Sequence, residues 1–205
     1  EPASNIAAQA NKSGLTTINA FFTDEVVMQI LDAYGPASVI TANYMYANVD
    51  DVSGFTENVA KLLTPEGIFV VQTGYHPEQM KINMFDYIYH EHFSYFTVEV
   101  LKNIFSKCGL ELIHVEKTAP KGGSIQVVGQ LKNGNRIVDS SVEKIISEEQ
   151  HAGMREIKTF QKFSLGLAEV KRQLIDRLSK LKGAGKKIAG FGASHSTTTL
   201  LYHFE

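Results

Sequence analysis

Residues 87–95 combine side chains that can accept, release and hold protons. Two histidines, one glutamate and three tyrosines stand within this segment, namely Tyr87, Tyr89, His90, Glu91, His92 and Tyr95. Phenylalanines surround them at Phe85, Phe93 and Phe96. Apolar neighbours remove water from a histidine or glutamate and tune its pKa towards proton transfer near neutral pH. The segment therefore indicates a proton-transfer site, with an ordinary aromatic-rich stretch carrying surface histidines as the alternative.

The composition of the 205 residues bounds the class of protein. With 43% hydrophobic and 20% charged residues, the chain is typical of a globular protein with one large or two small domains. A net charge of -2 argues against broad binding of nucleic acid or of an anionic membrane. The single cysteine, Cys108, excludes an intramolecular disulfide and a cysteine-built zinc site. No membrane-spanning run or secretory leader is recognisable, so we expect a cytoplasmic protein.

Alternating strand and helix signals predict an α/β fold around the segment. The predicted helices cover residues 3–13, 23–34, 50–63 and 97–107, and the predicted strands cover residues 15–22, 38–43, 67–72, 110–116 and 124–131. The last two strands are predicted to form an antiparallel hairpin through Gly122 and Gly123. Functional groups in such sheets gather at the carboxyl ends of strands. Asn43, Tyr44 and the connection 73–96 should therefore lie close together.

The character of the chain changes after residue 133. Residues 139–182 are charged and helical, with an apolar stripe that predicts core or interdomain packing at Phe163, Leu167, Val170, Leu174, Leu178 and Leu181. Residues 186–194 are predicted to form a strand leading into a glycine-rich turn, followed by a helix from about Ser196. We accordingly divide the chain into a sheet domain at 1–133, a helical connection at 134–185 and the start of a second α/β domain at 186–205.

Several segments together resemble one enzyme family. They are residues 1–3 (Glu-Pro-Ala), 18–22 (Ile-Asn-Ala-Phe-Phe), 39–43 (Val-Ile-Thr-Ala-Asn), 49–51 (Val-Asp-Asp), 89–92 (Tyr-His-Glu-His), 94–96 (Ser-Tyr-Phe), 122–124 (Gly-Gly-Ser) and 190–193 (Gly-Phe-Gly-Ala). In this order they are similar to the S-adenosylmethionine-dependent sugar C-methyltransferases, which act on nucleotide-linked 4-keto deoxysugars. The run at 89–92 is the most specific of them.

The resemblance implies that this chain holds part of a longer protein. Family members have an N-terminal zinc-binding module, a class I methyltransferase domain and a C-terminal Rossmann-like domain. The zinc module and the first glycine-rich cofactor motif find no match here, so zinc is expected only in the unmatched module and no metal within this chain. The expected fold is the C-terminal part of the class I methyltransferase Rossmann-like sheet, then helices and the start of a second Rossmann-like domain. Without the first two family strands, the strands at 15–22 and 38–43 would lack their common neighbour, and the chain alone should be inactive.

The resemblance also assigns roles to the proton-transfer segment. Removal of a hydrogen beside a ketone gives an enolate, which then attacks the methyl group of the sulfonium cofactor. His92 matches the motif histidine and is the expected base, since imidazole titrates near physiological pH. Glu91 is expected to orient His92 or the sugar, and Tyr89 to donate to the developing oxyanion. His90 is expected to be structural.

Further residues are assigned to the two ligands by the same resemblance. The expected S-adenosylmethionine residues are Glu1 for the ribose hydroxyls, Asn19, Ala20 and Phe21 near the adenine, and Asn43 near the methionine part. The expected residues for the nucleotide-linked sugar are Asn48, Gly123, Ser124 and Ser194. Asn48 stands where many relatives carry a histidine, and Gln126 where they often carry an arginine, which weakens the case for phosphate binding at that position.

A second interpretation stays open at the level of sequence. The chain could be a noncatalytic or dehydrogenase-like nucleotide-binding module that uses the glycine turn at Gly190. Neither interpretation predicts a nucleic-acid or membrane partner. The sugar, the ring carbon, the stereochemistry and the oligomeric state are not determined by the sequence.

Overall fold

The computed structural model describes residues 1–204 and shows an α/β fold, as predicted. Its helices are α1 (Ser4–Lys12), α2 (Asp24–Tyr34), α3 (Val52–Leu62), α4 (His76–Lys81), α5 (Val98–Lys107), α6 (Ser140–His151), α7 (Ile157–Gly183) and α8 (His195–Phe204). Its strands are β1 (Ala37–Asn43), β2 (Leu63–Gly74), β3 (Leu110–Thr118) and β4 (Ser124–Leu131). Short 3₁₀ turns occupy Tyr46–Asn48 and Pro120–Gly122.

The strands form one mixed sheet in the order β1-β2-β4-β3. β1 and β2 are parallel, with Asn43 opposite Gln72 at their carboxyl ends. β4 runs antiparallel to β2 and begins at the same edge, where Ser124 pairs with Gly74. The ends of β1 and β2 and the start of β4 therefore meet at one edge of the sheet, which is where the connection 75–97 lies.

The core lies between the sheet and the helices α3, α5 and α6. β2 alternates between buried and partly exposed positions, and Phe69 and Val71 are fully buried. The ring of Phe69 stacks on Phe105 of α5, with centroids 5.6 Å apart, and meets Tyr46 edge-on at 5.9 Å. These aromatic contacts bury large apolar areas, which makes them a main source of stability.

Two predicted strands are absent from the described part of the chain. Residues 15–22 form no strand, and Leu15 is 65% exposed. Residues 186–194 are also irregular and exposed throughout. Both predictions were wrong for the same reason: a strand persists only when its backbone pairs with a neighbouring strand, and neither segment reaches an edge of the sheet. The helix predicted from about Ser196 does form, as α8.

The apolar stripe of α7 is only partly covered. Leu167 is buried in a small cluster with Phe85 and Phe204, and Phe163 and Leu174 pack against that cluster. Other members of the predicted stripe are more exposed, including Val170 and Leu181. The preceding helix α6 instead packs into the main core. The division of the chain into three parts stays a prediction.

Glu149 of α6 connects the helices to the sheet. Glu149 is buried, with only 3% of its surface exposed to solvent. Oε1 accepts a hydrogen bond from the backbone N–H of Val98 at 2.6 Å and from Tyr75 Oη at 2.8 Å. Oε2 accepts from the backbone N–H of Glu99 at 3.1 Å. The carboxylate thus satisfies two N–H groups at the start of α5, where unpaired donors and the helix dipole favour a negative charge.

We expect Glu149→Ala to lower the free energy of unfolding by roughly 2–4 kcal/mol, because it leaves two buried N–H groups and a tyrosine hydroxyl without an acceptor. Urea denaturation followed by circular dichroism measures the change. Glu148→Ala on the same helix is the matched control, since Glu148 makes a solvent-exposed ion pair with Lys117. The control should change stability by no more than about 1 kcal/mol. Equal losses in the two variants would contradict the assignment.

Candidate functional site

The connection after β2 is held against the sheet edge at both ends. Tyr75 forms an isolated bridge with Phe96, and the backbone N–H groups of Phe93 and Ser94 both donate to the carbonyl of Ala47. Ala47 belongs to the 3₁₀ turn that follows β1. These bonds place His92 beside the carboxyl end of the sheet, as the sequence predicted for the connection 73–96.

The hydrogen bond of His92 determines which ring nitrogen is free. Nδ1 lies 3.0 Å from the carbonyl oxygen of Tyr87. A carbonyl can only accept, so in the neutral ring Nδ1 carries the proton and Nε2 has the free lone pair. Burial lowers the pKa of His92, the Tyr87 carbonyl opposes this, and the positive charge of Lys121 lowers it further. A neutral ring with an unprotonated Nε2 suits a base acting near neutral pH.

Three tyrosine rings surround the imidazole. Tyr89 lies 4.4 Å from the His92 ring between centroids, Tyr87 5.7 Å and Tyr95 5.9 Å. Burial raises the pKa of each phenol, so all three are neutral donors at physiological pH. Tyr95 Oη already donates to the Tyr87 carbonyl at 3.2 Å.

Glu91 and His90 occupy different surroundings from His92. The Glu91 carboxylate faces α8, where Oε1 lies 3.3 Å from Nδ1 of His195. Thr199 of the same helix donates to the carbonyl of Ile88 at 3.0 Å. Glu91 therefore contacts the C-terminal helix, and the Tyr87 carbonyl is the group that hydrogen-bonds the His92 ring. The expected role of Glu91 in orienting His92 or the sugar stays a prediction. His90 is exposed, with its ring 6.4 Å from Tyr89.

A second group of residues reaches the site from the edge of the sheet, and most of its members were given no site role from the sequence. Gln72 Nε2 donates to Tyr44 Oη at 3.0 Å, and Tyr44 Oη donates to Ser124 Oγ at 3.4 Å. Ser124 Oγ donates in turn to the carbonyl of Pro120 at 2.8 Å. The ammonium of Lys121 lies 3.9 Å from the centre of the Tyr44 ring. Among these, Ser124 was predicted to bind the sugar and Tyr44 to lie at this edge of the sheet, whereas Lys121 was not singled out.

Tyr44 and Lys121 share an unusual backbone conformation. Their φ angles are 53° and 56°, in the left-handed region that residues other than glycine seldom adopt. Such residues cluster at functional sites when the surrounding structure holds them in place. The sequence offered an indirect signal for each residue. Tyr44 directly follows a predicted strand, and Lys121 directly precedes the pair Gly122 and Gly123.

A small polar cavity lies between the two groups. Its volume is about 20 Å³. It is lined by Tyr44, Ala47, Thr73, Gly74, Gln79, Tyr87, His92, Ser94, Tyr95 and Lys121. Tyr89 is not part of this lining.

A larger cleft lies on the other side of the 3₁₀ turn. Its volume is about 1380 Å³, and its walls come mainly from residues 16–26, from α3 and from the turn after β1. Three of the residues predicted to bind the cofactor line it, namely Glu1, Ala20 and Phe21, together with Asn48 from the predicted sugar site. Phe93 also lines this cleft, whereas its neighbours His92 and Ser94 line the small cavity. The two spaces therefore share a wall.

The remaining predicted residues are placed elsewhere. Asn19 Nδ2 donates to the carbonyls of Glu1 and Pro2 and so fixes the start of the chain beside the cleft. Asn43 ends β1 with an exposed side chain outside the cleft lining. Gly123 adjoins Ser124 at the start of β4, with a φ of 113° that favours glycine. Ser194 is exposed and hydrogen-bonds within its own turn to Ser196 and Thr197. The site roles of all these residues stay predictions.

Two family models match successive parts of the chain. Residues 2–115 match a model described as a methyltransferase domain, and residues 119–205 match one described as a C-methyltransferase C-terminal domain. The chain belongs to the methyltransferase domain family. The predicted fold class, the later strands of a class I methyltransferase sheet, is confirmed.

Individual relatives are also similar to the chain. C-methyltransferase NovU of Streptomyces niveus is 34% identical over 201 residues, which cover 98% of this chain and 48% of NovU. This chain thus spans about half the length of that curated relative. Among solved structures, the O-methyltransferase NcsB1 in complex with S-adenosylmethionine has a TM-score of 0.44 at 14% identity, covering 64% of this chain and 39% of that one. CalO1, a methyltransferase in calicheamicin biosynthesis, has a TM-score of 0.43 at 21% identity, covering 56% and 34% of the two chains.

Two further properties complete the description of residues 1–204. No helix in this range has the length and apolar character needed to cross a lipid bilayer. No group of three or more histidine, cysteine, aspartate or glutamate side chains in this range could hold a metal ion.

We expect His92 to be neutral at pH 7 with its proton on Nδ1, because burial disfavours the imidazolium and the Tyr87 carbonyl holds that proton. Nitrogen-15 NMR of histidine-labelled protein measures both properties, the tautomer from the two ring shifts and the pKa from a pH titration. The titration midpoint should lie below the ordinary value of about 6.5. A midpoint above 7, or the proton on Nε2, would contradict the geometry.

Proposed function

We propose that the full-length protein transfers a methyl group from S-adenosylmethionine to a ring carbon of a nucleotide-linked 4-keto deoxysugar through an enolate. The observation that carries this proposal is the position of His92. Its unprotonated Nε2 belongs to a residue that lines a polar cavity, and that cavity shares a wall with a cleft lined by Glu1 and Phe21. A base beside a cofactor cleft suits the alkylation of a carbon, because the carbon that loses its hydrogen must also reach the methyl group.

The role of His92 follows from its tautomer. Nε2 accepts the hydrogen from the carbon beside the ketone, while Nδ1–H keeps its bond to the Tyr87 carbonyl at 3.0 Å. That bond fixes the ring and stabilises the imidazolium that forms. The ring of Tyr89 lies tilted against the imidazole, 4.4 Å away between centroids, and limits access of water to that side of it.

The residues of the cleft fit the chemistry of S-adenosylmethionine. Glu1 offers a carboxylate for ribose hydroxyls, with Oε1 now accepting from the Ala3 N–H at 2.9 Å. Phe21 and Phe93 are 72% and 60% exposed at the cleft surface, which suits stacking on an adenine ring. When bound, the cofactor supplies an electrophilic methyl group on a positively charged sulfur.

The sugar is assigned to the mouth of the small cavity. Asn48 ends the 3₁₀ turn between the two spaces and can hydrogen-bond a sugar hydroxyl, although an amide cannot carry a proton at neutral pH. Support for a sugar substrate comes from the sequence run at 89–92. The dehydrogenase-like alternative has less support, because residues 186–194 form no strand to lead into the glycine turn.

We expect His92→Asn in the full-length protein to lower turnover by about a hundredfold to ten-thousandfold, since it removes the general base. The affinity for S-adenosylmethionine should stay nearly unchanged, because His92 does not line the cleft. Methylation assays with a 4-keto nucleotide sugar and calorimetric titration of the cofactor measure the two effects. His90→Asn is the matched control, an exposed histidine two positions away, and should keep near-normal turnover. Near-normal rates for His92→Asn would move the base elsewhere, with Glu91 the next residue to test.

The free edge of β1 bears on cofactor binding. Among residues 1–204, β1 pairs only with β2, which leaves its other edge free, and Val39 in this strand is exposed. We propose that strands outside this chain pair with that edge in the full-length protein and complete the cofactor cleft.

Residues 1–205 alone should accordingly show negligible affinity for S-adenosylmethionine, whereas the full-length protein should bind it. Isothermal titration calorimetry compares the two, with circular dichroism confirming that residues 1–205 are folded. Micromolar affinity of residues 1–205 alone would contradict the proposal.

A further inference from the structure

The cavity beside His92 is about large enough for one oxygen atom, and side chains that can hydrogen-bond to such an atom line it. A cavity needs roughly 10–15 Å³ to hold one water molecule, and this one measures about 20 Å³. A sugar ring is far larger and can only lie at the mouth. An exocyclic oxygen of that ring, such as a ketone oxygen, fits inside.

We infer that this cavity is the oxyanion site of the proposed reaction and that Lys121 is a catalytic residue whose ammonium group binds the enolate oxygen there. The inference rests on the proposed function and deepens it. It adds a cationic residue to the site and replaces Tyr89 as the principal donor to the oxyanion, since Tyr89 lies outside the cavity lining.

Lys121 is held towards the cavity by its surroundings. Its ammonium packs 3.9 Å from the centre of the Tyr44 ring, a cation–π contact that restrains an otherwise flexible side chain. Its carbonyl accepts a hydrogen bond of 3.4 Å from Nε2 of buried Gln79. The left-handed φ of 56° at Lys121 shows that the turn itself is constrained. The positive charge is therefore held beside His92 before any substrate arrives.

The other polar groups around the cavity are less suited to a full negative charge. The hydroxyls of Tyr44 and Tyr95 already donate to Ser124 and to the Tyr87 carbonyl. Tyr87 and Tyr89 are neutral phenols, and Glu91, the acidic group next to His92, is paired with His195. Lys121 is the cation that lines the cavity. Preorganised positive charge at the position where an oxyanion forms is commonly the largest contribution to such catalysis.

The step itself balances without a further reactant. The bond between the alpha carbon and its hydrogen breaks, and the proton passes to Nε2 of His92. The electron pair forms the carbon–carbon double bond of the enolate, and the carbonyl π electrons move onto the oxygen beside Lys121. Return of a deuteron from heavy water to the same carbon reverses the step, so deuterium exchange reports it directly.

Exchange of the alpha hydrogen tests the assignment in the full-length protein. The substrate is a 4-keto nucleotide sugar in heavy water, with S-adenosylhomocysteine in place of the methyl donor and mass spectrometry as the readout. Lys121→Met should slow exchange by about a hundredfold, and Lys121→Arg, which keeps the charge, should recover much of the rate. Lys132→Met is the control, since Lys132 is exposed just beyond the opposite end of β4, and it should leave exchange unchanged.

The pKa of His92 provides a second readout that needs no substrate. A neighbouring positive charge disfavours the imidazolium, so its loss in Lys121→Met should raise the pKa of His92, and Lys121→Arg should leave it near the wild-type value. An unchanged pKa of His92 in Lys121→Met, or an exchange rate of that variant within threefold of wild type, would overturn the role of Lys121. The proposed function would not be affected by either result. Absence of both exchange and methyl transfer in the wild-type protein would instead overturn the proposed function and this inference with it.

Discussion

The buried carboxylate of Glu149 is the contact on which the arrangement of the site depends. It accepts hydrogen bonds from Tyr75 at the end of β2 and from the N–H groups of Val98 and Glu99 at the start of α5. The connection that carries His92 runs between these two points, so one side chain from α6 fixes both of its ends. A buried charge is tolerated only when it is fully hydrogen-bonded, and here every partner is a donor. The helices after residue 139 are thereby part of what positions the site.

The sheet edge then brings the reacting groups together. β1 and β2 end in parallel, and β4 starts beside them, so Tyr44, His92 and Lys121 converge although they are far apart in sequence. Two of them have left-handed backbones, and each is restrained by the other through the contact between ammonium and ring. Strain of this kind is maintained by the rigid sheet beneath it. The packing of Phe69 and its neighbours in the core thus supports the backbone geometry at this edge.

The fold could be predicted from the sequence wherever the pattern was local. Buried runs and helix boundaries predicted β1, β2, the final hairpin and the helices α1, α2, α3 and α5 within a few residues. The short helix α4 was not predicted within the connection 73–96, and neither was the break between α6 and α7. The strands expected at 15–22 and 186–194 do not form, because a strand depends on a partner that periodicity cannot reveal. For the site, the composition of residues 87–95 indicated a proton-transfer segment, and the resemblance to the enzyme family singled out His92 within it. Tyr44 was expected at this edge but was given no role, and Lys121 was missed. Their relevance arises from positive φ angles and from a contact across 77 positions of sequence, which no local pattern contains.

Two charged side chains, Lys121 and Glu91, act on the pKa of His92 in opposite directions. A base is most useful when it is neutral at the working pH, and a developing enolate is most stable beside a fixed positive charge. Lys121 serves both requirements, because the same charge that would hold the enolate oxygen also lowers the pKa of His92. Glu91 would oppose this effect, since its negative charge raises the pKa of His92. Glu91 Oε1 also lies 3.3 Å from Nδ1 of His195 on α8, so the segment that carries the imidazole is in contact with the C-terminal helix.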